Sequence, residues 1–275
     1  MGLSSYFIDK FLNHHFKGAN AGTAPTTLYA SIHSADPALT GANEVTGTYF
    51  SGRASYTSSN FSAPATVGNN RRIASTASLN FGTSIAAGSN LPYFGFWDAS
   101  TSGNFLGGFP FRNSLGIAEL LSFGNGDSVS RAAGNVIIDL DILFWSIYAR
   151  DLQLGWLTGT SAGTAPTSNQ LALATAIAAD GTITEITSTV ATGGRFSIPS
   201  SGWSSISTVG NTRQIQATNN IDYGNAIAAA TGFNSVALFN STNLIVFSSV
   251  STQNIAVGQE LIIPAGNFRV SLGNV

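Results

Sequence analysis

Apolar residues recur with a helical period at the start of the chain. A helix wound from Leu3 to Phe16 would carry them as one stripe, formed by Leu3, Phe7, Phe11 and Leu12. Ser4 or Ser5 can accept a backbone N–H at the start of that helix, and Lys17 followed by Gly18 suits its end. The pattern therefore predicts one amphipathic helix over residues 3–16.

Further along the chain, apolar and polar residues alternate, which is the period of a β-strand. Residues 28–33 alternate in this way, and residues 73–81 place Ile73, Ser75, Ala77, Leu79 and Phe81 on one face. The second stretch predicts one continuous, half-buried antiparallel strand. Tyr93 to Asp98, with the sequence YFGFWD, is apolar on both faces and predicts a central strand.

Two motifs occur twice at nearly the same separation. TVGNNRRI at residues 66–73 returns as TVGNTRQI at 208–215, with six of eight positions identical and an offset of 142. AGTAPT at residues 21–26 returns at 162–167, with an offset of 141. Within the first motif, Thr66 to Asn69 is interpreted as a turn that leads into a strand, since Gly and Asn tolerate unusual backbone dihedrals. Asp36-Pro37 and Asp180-Gly181 predict a further pair of matching turns.

These repeated motifs predict a mainly β fold made of two tandem antiparallel β-sandwich domains, each preceded by one short helix. The expected domains are residues 1–141 and 142–275, each with six to eight strands. The second helix is expected from Phe144 to Leu157, although Gly155 interrupts its pattern. Because no run of Gly, Ser or Pro separates the two copies, that helix is expected to pack between them.

The first copy is longer than the second. The closing strands match at an offset of 132 rather than 142, so ten extra residues are expected in the first copy, between about Gly107 and Asn125. This stretch contains six large apolar residues, namely Phe109, Phe111, Leu115, Ile117, Leu120 and Leu121. We interpret them as a candidate docking surface, with local packing over the sandwich as the alternative.

Composition narrows the range of functions. Charged residues make up only 9% of the 275 residues, and a sparsely charged surface lets neighbouring copies approach each other. The net charge of −2 and the absence of a basic stripe argue against nucleic-acid binding. Asp139 and Asp141 interrupt the most apolar run, Val136 to Ala149, so no membrane span is expected, and the N-terminal stretch does not read as a signal peptide.

The sequence offers little to support catalysis or metal binding. With no cysteine, the candidate ligands are few; His14 and His15 would point about 100° apart on a helix, and His33 stands alone. They are expected to be solvent-facing or packing residues. Asp139 and Asp141 could form a glycosidase-like pair or a calcium site, but a solvated strand edge is favoured. No catalytic, cofactor-binding or metal-binding residue is predicted, and the protein is expected not to be an enzyme.

Four arginines occupy positions that match between the two copies. They are Arg53 with Arg195 and Arg71 with Arg213, taken from only eleven cations in the chain. A guanidinium presents a planar fork of donors that suits carboxylates and carbonyls. These arginines are therefore candidates for bonds within or between the sandwich layers, with a solvated strand face as the alternative.

The first copy resembles a family of small proteins encoded among the structural genes of tailed bacteriophages, described as tail-fibre-like or minor tail proteins. Residues 24–30 (APTTLYA) resemble the family's PPTTLYVAL strand, residues 34–37 (SADP) its TADP turn, and residues 95–99 (GFWDA) its GIFDA strand. The resemblance implies a virion structural component without catalysis. We expect its partners to be other tail or capsid subunits, and we expect the protein to form a homo-oligomer in the particle.

Two other functions are open at this point. A capsid cement or decoration protein would stabilise the head, and its removal would release DNA. A carbohydrate-binding module for host adsorption would need an exposed cluster of Trp97, Trp145, Trp156 or Trp203, whereas their positions in predicted strands or helices favour the core.

Overall fold

The computed structural model describes residues 2–141, 145–177, 182–210 and 212–273, and its fold is mainly β, as predicted. The helices are α1 (Ser5–Phe16), α2 (Thr46–Tyr49), α3 (Ile147–Leu157) and α4 (Thr187–Val190). The strands of residues 1–141, the first half, are β1 (Gly2–Leu3), β2 (Thr27–His33), β3 (Ala54–Thr57), β4 (Ala65–Val67), β5 (Asn70–Ala74), β6 (Leu79–Thr83), β7 (Gly88–Leu91), β8 (Tyr93–Trp97), β9 (Phe105–Pro110), β10 (Leu121–Phe123), β11 (Ser128–Arg131) and β12 (Ile137–Asp141). Those of residues 142–275, the second half, are β13 (Ser168–Ile177), β14 (Ile183–Glu185), β15 (Phe196–Pro199), β16 (Ser207–Val209), β17 (Thr212–Gln216), β18 (Ile221–Asn225), β19 (Ala230–Asn240), β20 (Asn243–Ile255), β21 (Glu260–Ile263) and β22 (Arg269–Gly273).

The two long helices begin at equivalent serine caps. The Oγ of Ser4 accepts the N–H of Phe7 at 3.0 Å, and the Oγ of Ser146 accepts the N–H of Ala149 at 3.1 Å. The prediction of α1 is confirmed. Helix α3 starts later than expected, because Trp145 forms a β-bridge with Val246 and Ser146 is extended; the predicted start at Phe144 lies outside the described residues.

Each half has one larger antiparallel sheet. In the first half the strand order is β1-β9-β8-β2-β3, which places β8 in the middle and confirms the prediction of a central strand. In the second half the order is β14-β13-β19-β20, and β15 also pairs with β13. Smaller antiparallel sheets pair β12-β5-β4, β11-β6 and β10-β7 in the first half and β22-β17-β16 and β21-β18 in the second.

The strand predicted over residues 73–81 is broken in two, which corrects that expectation. Strand β5 pairs with β12 and ends at Ala74, while β6 pairs with β11 and begins at Leu79. The break occurs because β11 and β12 are themselves separated by a turn, in which the N–H of Gly134 donates to the carbonyl of Ser75 at 2.7 Å. The burial pattern survives the break, since Ile73, Leu79 and Phe81 are all buried.

The TVGN motif is a tight hairpin rather than a four-residue turn. Thr66 and Val67 belong to β4, and Val67 pairs with Asn70, so only Gly68 and Asn69 form the turn. Gly68 has φ +58°, a left-handed conformation that glycine adopts without strain. Gly210 also has φ +58°. Asn211 and the predicted Asp180-Gly181 turn lie outside the described residues.

The extra residues of the first half lie in two places. Trp97 pairs with Phe105 in the first half, and the matching Phe239 pairs with Leu244 in the second. The offset between matching residues of the two halves therefore falls from 142 before this hairpin turn to 139 after it. Beyond β9 the offset between matching residues falls again, to 132. Leu121 pairs with Leu91 in the first half, and the matching Gln253 pairs with Phe233 in the second. Three of the ten residues therefore lengthen the turn at 98–104, and seven form the connection after β9. The expectation of a single insertion between Gly107 and Asn125 was wrong, because sequence offsets cannot locate a gap between weakly matching strands.

The apolar core is continuous between the two halves. One cluster of buried residues includes α1, α3 and strands of both larger sheets. Helix α1 contacts β9 of its own half and β13 and β17 of the other half, while α3 contacts β20 of its own half and β5 of the other. The two helices thus form the layer in which the halves meet.

Candidate interaction surfaces

Arg53 and Arg195 each hold a glutamate and cover an aromatic ring. The Nε and Nη2 of Arg53 donate to the carboxylate of Glu44 at 2.9 and 2.8 Å, and the guanidinium lies 3.6 Å from the centre of the Trp97 ring. Burial by itself would raise the pKa of Glu44, but the hydrogen bonds and positive charge of Arg53 outweigh it, and the net pKa is lowered.

Arg195 repeats this arrangement in the second half. Its Nη2 donates to Glu185 at 2.7 Å, and its guanidinium lies 3.7 Å from the centre of the Phe239 ring. The Nη1 of each arginine also donates to a carbonyl of the following hairpin turn, Ser102 at 2.7 Å and Ser241 at 3.4 Å. Both guanidinium groups therefore connect elements within one half. The offset of 141 between Glu44 and Glu185 was the sequence signal that could have identified the partners.

Arg71 and Arg213 reach across to the opposite half. Arg71, on β5, donates from Nε and Nη2 to Asp151 of α3 at 2.7 and 2.9 Å. Arg213, on β17, donates from Nε and Nη2 to Asp9 of α1, the Nε bond being 2.6 Å. The bidentate hydrogen bond to Asp9 raises the pKa of Arg213. Each TVGN hairpin is therefore fastened to the helix of the other half.

A threonine orients each of these crossing arginines. The Nη1 of Arg71 donates to Thr66 Oγ1 at 2.7 Å, and the Nη1 of Arg213 donates to Thr208 Oγ1. Both threonines lie in the first strand of their hairpin, one residue before the terminal valine. The Thr and the Arg of the motif are therefore bonded to each other in both halves. The acidic partners Asp9 and Asp151, again separated by 142, were missed in the sequence.

The three histidines are buried, so of the two expected outcomes, solvent-facing or packing, they take the second. His14 accepts the N–H of Ala21 at Nδ1, at 3.3 Å; burial lowers its pKa, and a bond to the backbone of Ala162 opposes that shift. His33 contacts Ser31 Oγ at 2.8 Å and the Ala42 carbonyl at 2.7 Å, and burial lowers its pKa as well.

His15 is the most extreme of the three. It is 0% exposed, its ring centre lies 5.7 Å from that of Trp145 in the second half, and neither ring nitrogen has a hydrogen-bond partner among the described residues. Burial, with a smaller contribution from His14, lowers its pKa to about 3. A neutral imidazole packed among aromatic rings is a structural residue.

The tryptophans do not form the exposed cluster that a carbohydrate-binding face would need. Trp145, Trp156 and Trp203 are buried, with exposures of 1–3%. Trp97 is half-buried beneath the guanidinium of Arg53. All four rings are occupied by contacts within the chain, as their positions predicted.

Asp139 forms an ion pair with an arginine, whereas the sequence favoured a solvated carboxylate at a strand edge. Its carboxylate accepts two bonds from Arg72, at 2.7 and 2.9 Å, and these bonds raise the pKa of Arg72. The carbonyl of Asp141 accepts the Nε of buried Arg150 at 2.5 Å. In the part of the chain that the structure describes, no three histidines or acidic residues converge as a metal site would require.

The six apolar candidates for docking divide into two groups. Phe109, Phe111 and Leu121 are buried, with exposures of 0–8%, so the alternative of local packing is correct for them. Phe111 lies 5.4 Å from Phe94, ring centre to ring centre, because β9 delivers it directly into the core. The other three remain exposed: Leu115 at 80%, Ile117 at 60% and Leu120 at 59%.

A small hairpin presents these three exposed side chains, and we call residues 112–120 the apolar loop. Arg112 bridges to Ala118, and the Glu119 N–H donates to the Phe111 carbonyl at 2.8 Å. At the tip, Asn113 Oδ1 accepts the N–H groups of Leu115 and Ile117, both at 3.0 Å. The loop is thus held by its own hydrogen bonds while its apolar side chains face solvent.

None of the described helices is both long and apolar enough to cross a membrane. No curated protein matches the chain. A family model described as podophage GP4 fiber I protein gp80 matches residues 2–139, which is half of the chain. The chain therefore belongs to the podophage GP4 fiber I protein gp80 family and is a bacteriophage structural protein of the virion.

Proposed function

We propose that this protein is a non-enzymatic fibre- or tail-associated component of the virion that docks on neighbouring subunits through the apolar loop. The observation that carries the proposal is the exposure of Leu115, Ile117 and Leu120 on a hydrogen-bonded hairpin. Three large aliphatic side chains in water are unfavourable for a free monomer, and burying them against a partner would stabilise the complex. Because the loop is already ordered, little conformational entropy would be lost on docking.

The family description supports the placement at a fibre rather than at the head. The partners in this proposal are other virion proteins and further copies of the same chain. No nucleic acid, membrane or cofactor takes part, in keeping with a net charge of −2 and so few charged residues. Localisation of the chain to the capsid surface, with loss of DNA on its removal, would instead identify a decoration protein.

We further propose that the chain arose by tandem duplication of one helix-plus-sandwich unit, with domains at residues 1–141 and 142–275. Paired details support this beyond the TVGN motif. Thr46 Oγ1 accepts the N–H of Ile32 at 2.8 Å, and Thr187 Oγ1 accepts the N–H of Leu173 at 2.8 Å. Thr46 and Thr187 lie 141 residues apart, and so do Ile32 and Leu173. The family model also ends close to the proposed boundary, at residue 139.

The docking role can be tested by complementation of phage that lack this gene product. A variant with Leu115, Ile117 and Leu120 changed to serine leaves the backbone bonds of the hairpin in place, so it should fold normally. We expect its incorporation into purified particles to fall severely. The matched control changes three exposed aliphatic residues elsewhere, Val67, Val257 and Ile262, to serine and should be incorporated normally. Normal incorporation of the loop variant would refute the docking role.

A further inference from the structure

The second half contains an open apolar cleft. It has a volume of about 190 Å³ and lies between β19 and β20 on one side and β22 on the other. Seven apolar residues line it, namely Trp145, Val236, Leu238, Val246, Phe247, Phe268 and Val270. Ser248, Arg269 and Ser271 also line it. An apolar cavity of roughly 150 Å³ can hold a benzene-sized group, so this cleft has room for one large apolar side chain.

In the first half the equivalent space is filled by aromatic rings. Val236 pairs with Ser248 across the β19–β20 hairpin, as Phe94 pairs with Phe109 across β8 and β9. Phe94 and Phe109 are 0% and 4% exposed. Phe111 adds a third buried ring against Phe94, and it begins the connection that is seven residues longer in the first half. The second half is therefore open where the first half is filled.

The connection after β9 also covers this region of the first half from outside. A methyl group added at Gly116, in the apolar loop, would lie 3.4 Å from the guanidinium of Arg72, which holds Asp139 of β12. Asp139 on β12 matches Ser271 on β22, which lines the cleft, because matching residues of these two strands lie 132 positions apart. The second half has no equivalent of this loop, since β20 runs without interruption from Asn243 to Ile255.

We propose that the cleft receives the apolar loop of a second copy of this chain, with Leu115 inserted between β19 and β22. The proposal rests on the docking function proposed above and names its partner. Leu115, at the loop tip, is 80% exposed and is one large aliphatic side chain, which matches the size of the cleft.

The resulting contact is head-to-tail. The loop belongs to the first half and the cleft to the second, so each copy would offer one of each to different neighbours. A heterologous contact of this kind closes into a ring or continues as a filament, according to the rotation between successive copies. Both outcomes suit a component of an assembled fibre, and neither requires a second type of subunit.

Sedimentation velocity of the full chain over a concentration series tests the proposal. The wild type should self-associate, and Leu115→Ser should weaken the association about tenfold or more, as expected for loss of one buried leucine. Val236→Phe should do the same by placing in the cleft the ring that Phe94 supplies in the first half. The control Val257→Ser, at a residue 67% exposed elsewhere, should associate like the wild type.

Mixing the two defective variants distinguishes a head-to-tail contact from a symmetric one. The Leu115→Ser chain keeps its cleft and the Val236→Phe chain keeps its loop, so one intact contact can form between them. The mixture should therefore give a one-to-one dimer and no larger species. An unchanged thermal midpoint of each variant would show that the fold is retained.

Three results would overturn the proposal: a wild type that stays monomeric, variants that associate normally, or a mixture that stays monomeric. The fate of the docking function is separate. If the chain stays monomeric in solution while the serine variant of the loop fails to enter particles, the loop docks on a different virion protein. The present proposal would then fail and the proposed function would stand.

Discussion

At the scale of the residue, His15 shows how the two halves differ at matching positions. The equivalent residue in the second half is Leu157, which is also buried. Leucine needs no hydrogen bond there, whereas both nitrogens of His15 lack a partner within the described residues. The fold therefore tolerates an imidazole at a site that suits a hydrocarbon, and an unsatisfied buried polar group costs stability.

This site predicts a loss of stability in mild acid. Because the folded pKa of His15 is about 3 and its ordinary value is 6.5, the unfolded chain binds more protons between these values. Stability due to this group is complete above pH 6.5 and decreases as the pH falls below it. His14 and His33 have lowered pKa values too and should act in the same direction.

The matched substitution is His15→Leu, which copies the second half. It should raise the free energy of unfolding by about 1–3 kcal/mol at neutral pH, since it removes unpaired polar atoms from the core. It should also flatten the pH dependence between pH 7 and 5, as measured by urea unfolding at several pH values. A variant with the same acid sensitivity as the wild type would contradict the role assigned to His15.

Arg53 gives a second prediction at this scale. Arg53→Ala removes the fork to Glu44 and the stacking on Trp97, and we expect a loss of about 1–3 kcal/mol in the free energy of unfolding. Arg53→Lys keeps the charge but not the planar geometry, so it should recover only part of the loss. Thermal unfolding of both variants checks this, and an unchanged midpoint for Arg53→Ala would show that the arginine has no structural role.

At the scale of the element, helix α1 followed the sequence more closely than the long strand predicted over residues 73–81 did. Serine caps and apolar spacing are local signals, so α1 was predicted nearly to the residue. The break between β5 and β6 is imposed by the turn between their partner strands β11 and β12. A single sequence does not show which strands pair, so it could not show that one partner would end. The same limit hid the division of the ten extra residues between two connections.

The reciprocal hairpin–helix contacts make a prediction about pairs of residues. Arg71→Asp places two carboxylates together and should destabilise the chain by about 2–4 kcal/mol, and Asp151→Arg should destabilise it through like charges in the same way. The double variant restores opposite charges and should recover a large part of the loss. A double-mutant cycle in urea measures the coupling energy directly. Purely additive effects would mean that the pair does not couple β5 to α3.

At the scale of the whole molecule, the sequence did not show how the two halves contact each other. Two tandem sandwiches with a helix between them were expected, and both helices lie where the halves meet. Arginines at matching positions were evident, but a pattern within one chain does not say whether a partner comes from the same copy or the other one. Arg53 and Arg195 bond within their halves, while Arg71 and Arg213 cross between them.

The shared helix layer predicts cooperative unfolding. Because each half buries its neighbour's helix in one continuous core, the chain should unfold in a single calorimetric transition rather than two. Arg213→Ala should lower the midpoint of that one transition without splitting it. Two resolved transitions in the wild type would show that the halves are independent domains.

The central claim is that this chain is a virion component whose apolar loop is buried against a neighbouring subunit. Cryo-electron microscopy of intact particles tests it most directly. We predict density for the chain in the fibre or tail, with Leu115, Ile117 and Leu120 enclosed by an adjacent protein chain. Density that places the apolar loop in open solvent, or particles without the chain, would contradict the account.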